Sequence, residues 1–305
     1  MRTNYSPYFS SSFVHLENQM ISKLGDLCQD FNDSPQILIT NTETDIVKLW
    51  KNGMLQGVEL IIHPNSGYDN FPVNFIKESR IPVLVGNPIR QEAVVNYCLS
   101  CLGDAASPPP WRKSWDAKRQ WSRKPLWKQK ALIIGHGHVG SSLKKKLEHI
   151  LKEVYIHDPF QGLQGLDKKN LVDYVFVCAS LNETTKMLVD NQFLLGLKDD
   201  ITIINPARGS IICLDDLILF LKKNKKALAY LDVFPQEPRD IDKVKLVDNI
   251  KSTCHIAGVF EGIESEIINF EKRILSDFNK LKKQDFFKKY ERINLVNRIQ
   301  EGQII

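Results

Sequence analysis

Three glycines and an acid give the first chemical reading of this chain. Gly135, Gly137 and Gly140 stand in Gly135-His136-Gly137-His138-Val139-Gly140, behind the apolar run Ala131-Leu132-Ile133-Ile134, and Asp158 follows eighteen residues after Gly140. Strand, glycine turn, helix and then a lone carboxylate is the order in which a βαβ unit binds a dinucleotide. Gly135 makes the tight turn, Gly137 lets the backbone approach a pyrophosphate, and Gly140 lets the helix pack close to the strand. The first turn of that helix, at His138 and Val139, offers N–H groups without intrahelical partners and the positive end of the helix dipole. Asp158 accepts hydrogen bonds from an adenosine ribose and repels a 2′-phosphate, which favours NAD over NADP. The fingerprint alone also fits an ordinary turn. Context selects the nucleotide: Leu143, Leu147 and Ile150 recur at helical spacing, and Val154-Tyr155-Ile156-His157 reads as a second strand that ends at Asp158.

A second group of reactive side chains follows, each at the expected C-terminal end of a strand, where open α/β sheets bind ligands. Asn205-Pro206-Ala207-Arg208-Gly209, Leu231-Asp232-Val233-Phe234-Pro235-Gln236-Glu237-Pro238 and His255-Ile256-Ala257-Gly258 put an Arg, an Asp, a Glu and a His around one crevice. Taken singly, each has a plain alternative. Arg208 also reads as a surface ion pair, Glu237 as a turn residue before proline, and His255 as a satisfied core histidine.

The elements that must position these groups alternate along the chain. Residues 37–39, 58–62 and 82–85 read as strands, with helices over 43–52 and 71–79 between them and a further helical pattern over 16–31 before them. A longer helical pattern runs from Ile89 to Leu102 and ends at Gly103. Ser107-Pro108-Pro109-Pro110 then breaks the chain, and a basic stretch follows with Trp111, Trp115, Trp121 and Trp127. It reads as a connector whose indoles pack between domains, in preference to a surface for single-stranded nucleic acid. A second strand series follows at 131–134, 154–157, 174–178, 202–205, 228–232 and 250–253. These runs are short and apolar, as in a parallel sheet covered on both faces. The tail from Gly262 to Lys289 reads as helical.

Bulk properties narrow the class. The 305 residues carry 41 basic and 36 acidic side chains, a net charge of +5, and the lysine clusters fall on helical patterns. Solvated helix faces account for them, which argues against nucleic acid and leaves an anionic small molecule as partner. No apolar run reaches the roughly 18–20 residues of a membrane span, and the first residues lack a signal-peptide core, so the expected setting is cytoplasmic. The six cysteines are scattered. Cys98-x-x-Cys101 lacks a second pair and reads as buried packing, so no metal is expected.

In sum, these segments resemble the D-isomer-specific 2-hydroxyacid dehydrogenase family, over nearly the whole length. Besides the motifs above, Leu181-Asn182-Glu183-Thr184-Thr185 stands for the family's Pro-Leu-Thr-x-x-Thr segment. Asn65-Ser66-Gly67-Tyr68-Asp69 matches its substrate-carboxylate loop, with Ile81-Pro82-Val83 and Ala93-Val94 after it. The resemblance implies that His255 is the general acid for the carbonyl oxygen as NADH delivers hydride to the 2-carbon. An imidazole suits that task because its ordinary pKa lies near 6.5. By the same resemblance Glu237 orients His255 and stabilises the imidazolium, Arg208 binds the carboxylate and carbonyl of a 2-oxo acid, and Ser66 and Gly67 offer backbone N–H groups to that carboxylate. Asp232 meets the nicotinamide carboxamide, and Ala179, Thr185 and Gly258 contact the cofactor. Cys254 and Ser180 stand where the family commonly has Pro, Asn96 where it often has Glu, and His136 and His138 where Leu and a polar residue are commoner.

The expected architecture is α/β with two domains, a Rossmann-type doubly wound parallel sheet inserted into a smaller flavodoxin-like α/β substrate domain. Residues 1–103 form the first part of the substrate domain, 104–260 the NAD-binding domain, and 261–305 a crossing helix and a tail that returns. The resemblance also implies a homodimer and cleft closure on the substrate. The expected function is NAD-dependent interconversion of a small 2-oxo acid and its D-2-hydroxy acid. The alternatives are a non-catalytic NAD-sensing scaffold on the same fold and oxidation of an unusual acid such as phosphite.

Overall fold

Short apolar runs become the central strands, buried on both faces, of two separate parallel sheets. The computed structural model describes residues 3–5, 37–41, 44–108, 115, 123–300 and 302–304. The chain divides into two units, Met1–Arg90 with Phe260–Ile305, and Gln91–Val259.

In the first unit β1 (Thr3–Tyr5), β2 (Ile37–Ile39), β3 (Leu60–His63) and β4 (Val83–Val85) pair in parallel in that order. Helix α1 (Ile46–Lys51) begins where the Asp45 carboxylate accepts the Lys48 N–H at 2.9 Å, an N-cap that satisfies one of the orphan donors of the first turn. Helix α2 (Val73–Ser79) ends at Arg80 in the left-handed region. Leu49, Phe75 and Ile61 from these elements share a core with Phe270, Ile274 and Leu275 of the helix Ile263–Lys280 and with Phe286 of the helix Lys283–Lys289. The tail expected as one helix is thus two, broken at Leu281 and Lys282, both in extended backbone. The break lets Phe286 turn into the core, where it packs edge-on against Phe278.

His63 ends β3 with no exposed surface. Its Nε2 lies 2.8 Å from the Gly67 carbonyl and its Nδ1 2.9 Å from the Thr40 hydroxyl. A carbonyl can only accept, so Nε2 carries the proton and Nδ1 accepts from Thr40. Burial lowers the pKa of His63 from its ordinary 6.5 to about 4.

Helix α3 (Asn87–Ala106) runs past Gly103, where it was expected to stop, because Leu102, Ala105 and Ala106 continue to pack into the core of the second unit. The division between the units falls inside α3, after Arg90, earlier than the boundary expected at 103. Cys98 and Cys101 are buried on this helix.

The second unit holds β5 (Lys130–Ile134), β6 (Glu153–His157), β7 (Tyr174–Val177), β8 (Thr202–Asn205), β9 (Leu228–Leu231) and β10 (Ile250–Ser252). They form one parallel sheet in the order β10-β9-β8-β7-β5-β6, so the direction of strand addition reverses between β5 and β7. Alternate residues enter opposite cores. Leu132, Val175, Ile203 and Ala229 join one cluster, while Ile133, Phe176, Ile204 and Tyr230 join the other. Helix α4 (His138–Leu147) follows β5, and α5 (Asn191–Leu194) and α6 (Leu214–Lys223) follow later. Between β6 and β7 only short 3-10 turns occur.

The connector differs from its expected packing. Trp115 is 95% exposed, and Trp127 is 71% exposed because in the turn Leu126–Lys128 it is Leu126 that packs inward. Trp111, Trp121 and the helical pattern over 16–31 lie outside the described residues. Among the described residues no helix is long and apolar enough to cross a membrane.

Two predictions follow from packing. A Cβ at Gly140 would collide with the Gly135 carbonyl oxygen, a backbone atom that cannot move aside alone. Gly140→Ala is expected to cost about 3 kcal/mol, the upper range for overpacking, read as a lower denaturant midpoint. For His63, the unfolded chain takes up a proton near 6.5 and the native chain near 4. Its contribution is therefore complete above the unfolded value and falls by about 3 kcal/mol as pH drops toward 4. Urea midpoints at about pH 7 and about pH 5 check this: the wild type loses stability between them, and His63→Gln loses distinctly less.

Candidate active site

The glycine turn lies at the C-terminal end of β5, beside the point where strand order reverses, which is where open α/β sheets leave a crevice. Gly135 has φ +93, a left-handed backbone that favours glycine, and a Cβ there would meet the Ala179 Cα and N at 2.6 Å. The loop after β7 therefore rests directly on the turn. Gly137 caps α4 in extended backbone, and a Cβ built on it meets only open space. His138, Val139 and Gly140 form the first turn of α4, whose N–H groups have no partner within the helix. The Val139 side chain packs into the core, so its amide is the part it can offer to a ligand.

Asp158 follows β6, as expected. Its Oδ2 accepts from the His136 N–H at 2.8 Å and from Gln161 Nε2 at 3.0 Å. Among the described residues Oδ1 accepts from nothing, which leaves one carboxylate oxygen for the hydroxyls of a ribose. Gln161 also donates to the His136 carbonyl at 3.2 Å, closing the turn over the carboxylate. An open cradle at Gly137, a helix terminus with orphan donors and a half-engaged carboxylate at the next strand end fit a dinucleotide.

Thr185 stands further from a direct role. Its hydroxyl donates to the Ser180 carbonyl at 2.7 Å and accepts from the Asn182 N–H at 2.8 Å, while Asn182 Oδ1 accepts from the Thr184 and Thr185 amides. The side chain of Thr185 thus shapes the loop that carries Ala179.

At the ends of β8, β9 and β10 the four reactive side chains lie on adjoining loops of this unit. Asn205 is fully buried and closes its own loop, with Nδ2 donating to the Arg208 carbonyl at 3.1 Å and Oδ1 accepting from the Ala207 N–H at 3.0 Å. A side chain at Gly209 would collide with the Phe234–Pro235 backbone, so the Arg208 loop lies against the segment leading to Glu237. The Arg208 guanidinium donates Nη1 to the Ala207 carbonyl at 2.8 Å.

Asp232 is 1% exposed and holds the turn around His255. Its Oδ1 accepts from Thr253 Oγ1 at 2.6 Å and from the Ile256 N–H at 2.8 Å, and its Oδ2 accepts from the Ala257 N–H at 2.8 Å. The backbone carbonyl of Asp232 accepts the His255 N–H at 2.8 Å. Thr253 is in turn 2.9 Å from the Tyr97 hydroxyl. Held in this way, His255 has φ +55, in the left-handed region. Oδ2 of Asp232 accepts one described hydrogen bond, fewer than a carboxylate oxygen can take. Gly258 follows directly on this latched turn.

Glu237 Oε1 accepts the Phe234 N–H at 3.0 Å, and its Oε2 lies 2.9 Å from His255 Nδ1. A carboxylate with one oxygen already engaged accepts at the other, so Nδ1 carries the proton. His255 Nε2 is left without a described partner on a side chain that is 52% exposed. The ring is oriented from behind and its outer nitrogen is open in front, an arrangement that suits exchange of a proton with a bound group.

Ser66 and Gly67 belong to the first unit, in the loop after His63. Neither amide donates to a described atom, and Ser66 Oγ is buried without a partner among the described residues. The Gly67 carbonyl is fixed by His63. Sequence reasoning missed His63, Gln161, Asn182, Thr253 and Tyr97. Tyr97 and Thr253 are 156 positions apart, and no local pattern signals such a pair.

Comparison with known proteins agrees with this fold. Residues 110–257 match the family model described as D-isomer specific 2-hydroxyacid dehydrogenase, NAD binding domain. The chain is 27% identical to hydroxypyruvate reductase of Thermotoga maritima over 236 residues, 71% of this chain and 74% of that one. It is 26% identical to D-3-phosphoglycerate dehydrogenase of Archaeoglobus fulgidus over 237 residues, 72% of this chain but only 44% of the relative's length. The crystal structure of D-lactate dehydrogenase from Aquifex aeolicus, complexed with NAD and lactic acid, has the same fold. Its TM-score is 0.69 at 15% identity, covering 97% of this chain and 99% of that one. Residues 110–257 are thus an NAD-binding domain of the kind described for the D-isomer specific 2-hydroxyacid dehydrogenase family.

Proposed function

We propose that the chain is an NAD(H)-dependent oxidoreductase that interconverts a small 2-oxo acid and its D-2-hydroxy acid. The observation that carries this reading is His255, whose Nδ1 is engaged by Glu237 and whose Nε2 is left open, on the same unit as the glycine turn and Asp158. When bound at that turn, NADH supplies the hydride.

The chain's own residues do the rest. His255 Nε2 delivers a proton to the carbonyl oxygen in reduction and removes it in oxidation. Glu237 holds the ring in the tautomer that exposes Nε2 and stabilises the cation formed when both nitrogens carry protons. Arg208 offers a planar fork of donors to the carboxylate and carbonyl, and the free amides of Ser66 and Gly67, on the first unit, are donors suited to a carboxylate. Asp232 accepts from the nicotinamide carboxamide at the position left on Oδ2, and Asp158 Oδ1 accepts from the ribose. A 2′-phosphate at Asp158 would bring two negative groups together, so NAD is the preferred cofactor.

The test is NADH consumption, followed by absorbance, across 2-oxo acids graded in size and charge. His255→Ala is expected to lower kcat by roughly 100- to 10,000-fold, the usual worth of a positioned acid–base group, with NADH affinity nearly unchanged. Near-normal turnover in that variant would remove His255 from the proposal, and saturable NADH binding without turnover on any acid would favour an NAD-sensing scaffold. Asp158→Ser is expected to narrow the preference for NADH over NADPH by about tenfold or more, the effect of relieving one charge repulsion. An unchanged ratio would place Asp158 away from the ribose.

A further inference from the structure

His136 and Gln161 frame the turn at Asp158 in a way that a glycine fingerprint does not require. Asp158 closes the loop 158–163 after β6. Its N–H donates to the Leu163 carbonyl at 2.8 Å, and the Leu163 N–H donates back to the Asp158 carbonyl at 3.0 Å. Inside that loop the 3-10 turn Pro159–Gln161 brings Gln161 back toward Asp158, with the Gln161 N–H donating to the Asp158 carbonyl at 3.0 Å. The backbone thus fixes where the Gln161 side chain starts.

The end of that side chain is gripped from two sides. Gln161 Nε2 faces two groups that can only accept, the His136 carbonyl at 3.2 Å and Asp158 Oδ2 at 3.0 Å, so its partners set the orientation of the amide. Its Oε1 lies 3.2 Å from His136 Nδ1, which therefore carries the proton and donates. A leucine at position 136 would keep the backbone contacts and lose that ring donor. Asp158 Oδ2 also accepts the His136 N–H at 2.8 Å. Two donors fill this oxygen, because a carboxylate has about two acceptor sites on each. What it can offer a ligand is Oδ1.

We propose that Gln161, seated by His136, is a positioning residue for cofactor choice: it fixes the Asp158 carboxylate so that Oδ1 meets the adenosine ribose and stands against a 2′-phosphate. The inference deepens the NAD(H) reading above and rests on its assignment of Asp158 to the ribose. All three residues lie in the second unit. A carboxylate held by one backbone donor can still swing about that bond, since the terminal torsion of an aspartate is broad. A second donor on the same oxygen removes the swing. A carboxylate already in place loses less freedom when NADH binds. Nor can it turn aside from a phosphate, so the repulsion that rejects NADPH is felt in full.

The experiment is fluorescence titration of the full chain with NADH and with NADPH, which needs no substrate and no turnover. Gln161→Met keeps the length of the side chain and removes its donor and acceptor. It is expected to weaken NADH binding roughly three- to tenfold, the range for immobilising one side chain. NADPH should bind no more weakly, so the preference for NADH narrows by the same factor. His136→Leu should lie between this variant and the wild type, because the backbone N–H of residue 136 still reaches Asp158. In the Asp158→Ser protein, adding Gln161→Met should change either affinity by less than about twofold, since a residue that acts through Asp158 then has nothing to hold.

Unchanged NADH affinity in Gln161→Met would overturn the inference. So would a loss shared equally by NADH and NADPH, or one that persists in the Asp158→Ser background, because either outcome means that Gln161 does not act through the carboxylate. Failure of the underlying reading looks different. Asp158→Ser alone would then leave the ratio of NADH to NADPH affinity unmoved, and the role of Gln161 would fall with that of Asp158.

Discussion

Asp232 lies at the end of β9 with almost no exposed surface, its two oxygens divided among Thr253, Ile256 and Ala257. A carboxylate taken out of water needs donors, and here two of the three are backbone N–H groups of the turn after His255. The dependence is mutual. Without those amides the carboxylate is buried and poorly paired, and without the carboxylate the turn holds orphaned donors. The left-handed backbone of His255 is the by-product of this closure. It aims the imidazole at Glu237, a residue from the loop between the two partners of the latch.

The sheet sets the level at which this happens. β8 and β9 pair in register up to Asn205 and Leu231, so Arg208 and Asp232 leave the sheet at the same height. Each loop above that edge is closed mainly by its own side chains: Asn205 for the Arg208 loop, Asn182 and Thr185 for the loop carrying Ala179, and Gln161 for the turn at Asp158. Reactive groups on loops of this kind are fixed by hydrogen bonds only a few residues long, anchored to strands buried on both faces. The scaffold can thus be ordinary while the edge is specific.

Much of this was legible in the sequence, because the strands are continuous apolar runs and the glycine turn has a local spacing. The ends of strands follow from the same runs, so the positions of Asp158, Arg208, Asp232, Glu237 and His255 at the sheet edge could be expected. The supporting residues could not. His63 holds Gly67 through a buried imidazole, and Tyr97 reaches Thr253 across most of the second unit's sequence. Neither contact leaves a periodic signal. Where the element reading failed, tertiary packing had overridden a local cue: Gly103 did not stop α3, Trp127 turned outward while Leu126 packed, and the final helix broke so that Phe286 could enter the core. Arg208 is an intermediate case. Its place was legible, while its contact with the Ala207 carbonyl depends on a loop closure seen only in three dimensions.

The backbone of His255 bears on how this protein changes over generations. A left-handed position between latched neighbours suits glycine or asparagine at least as well as histidine, because neither sets a branched or bulky side chain against the preceding carbonyl. Selection for folding alone would therefore leave position 255 free to drift toward those residues, with Asp232 still holding the turn. On the proposed function, a histidine there, with a glutamate placed behind it, is maintained by its chemistry and not by stability. In a descendant relieved of its chemistry, the imidazole would disappear while the fold around it remained.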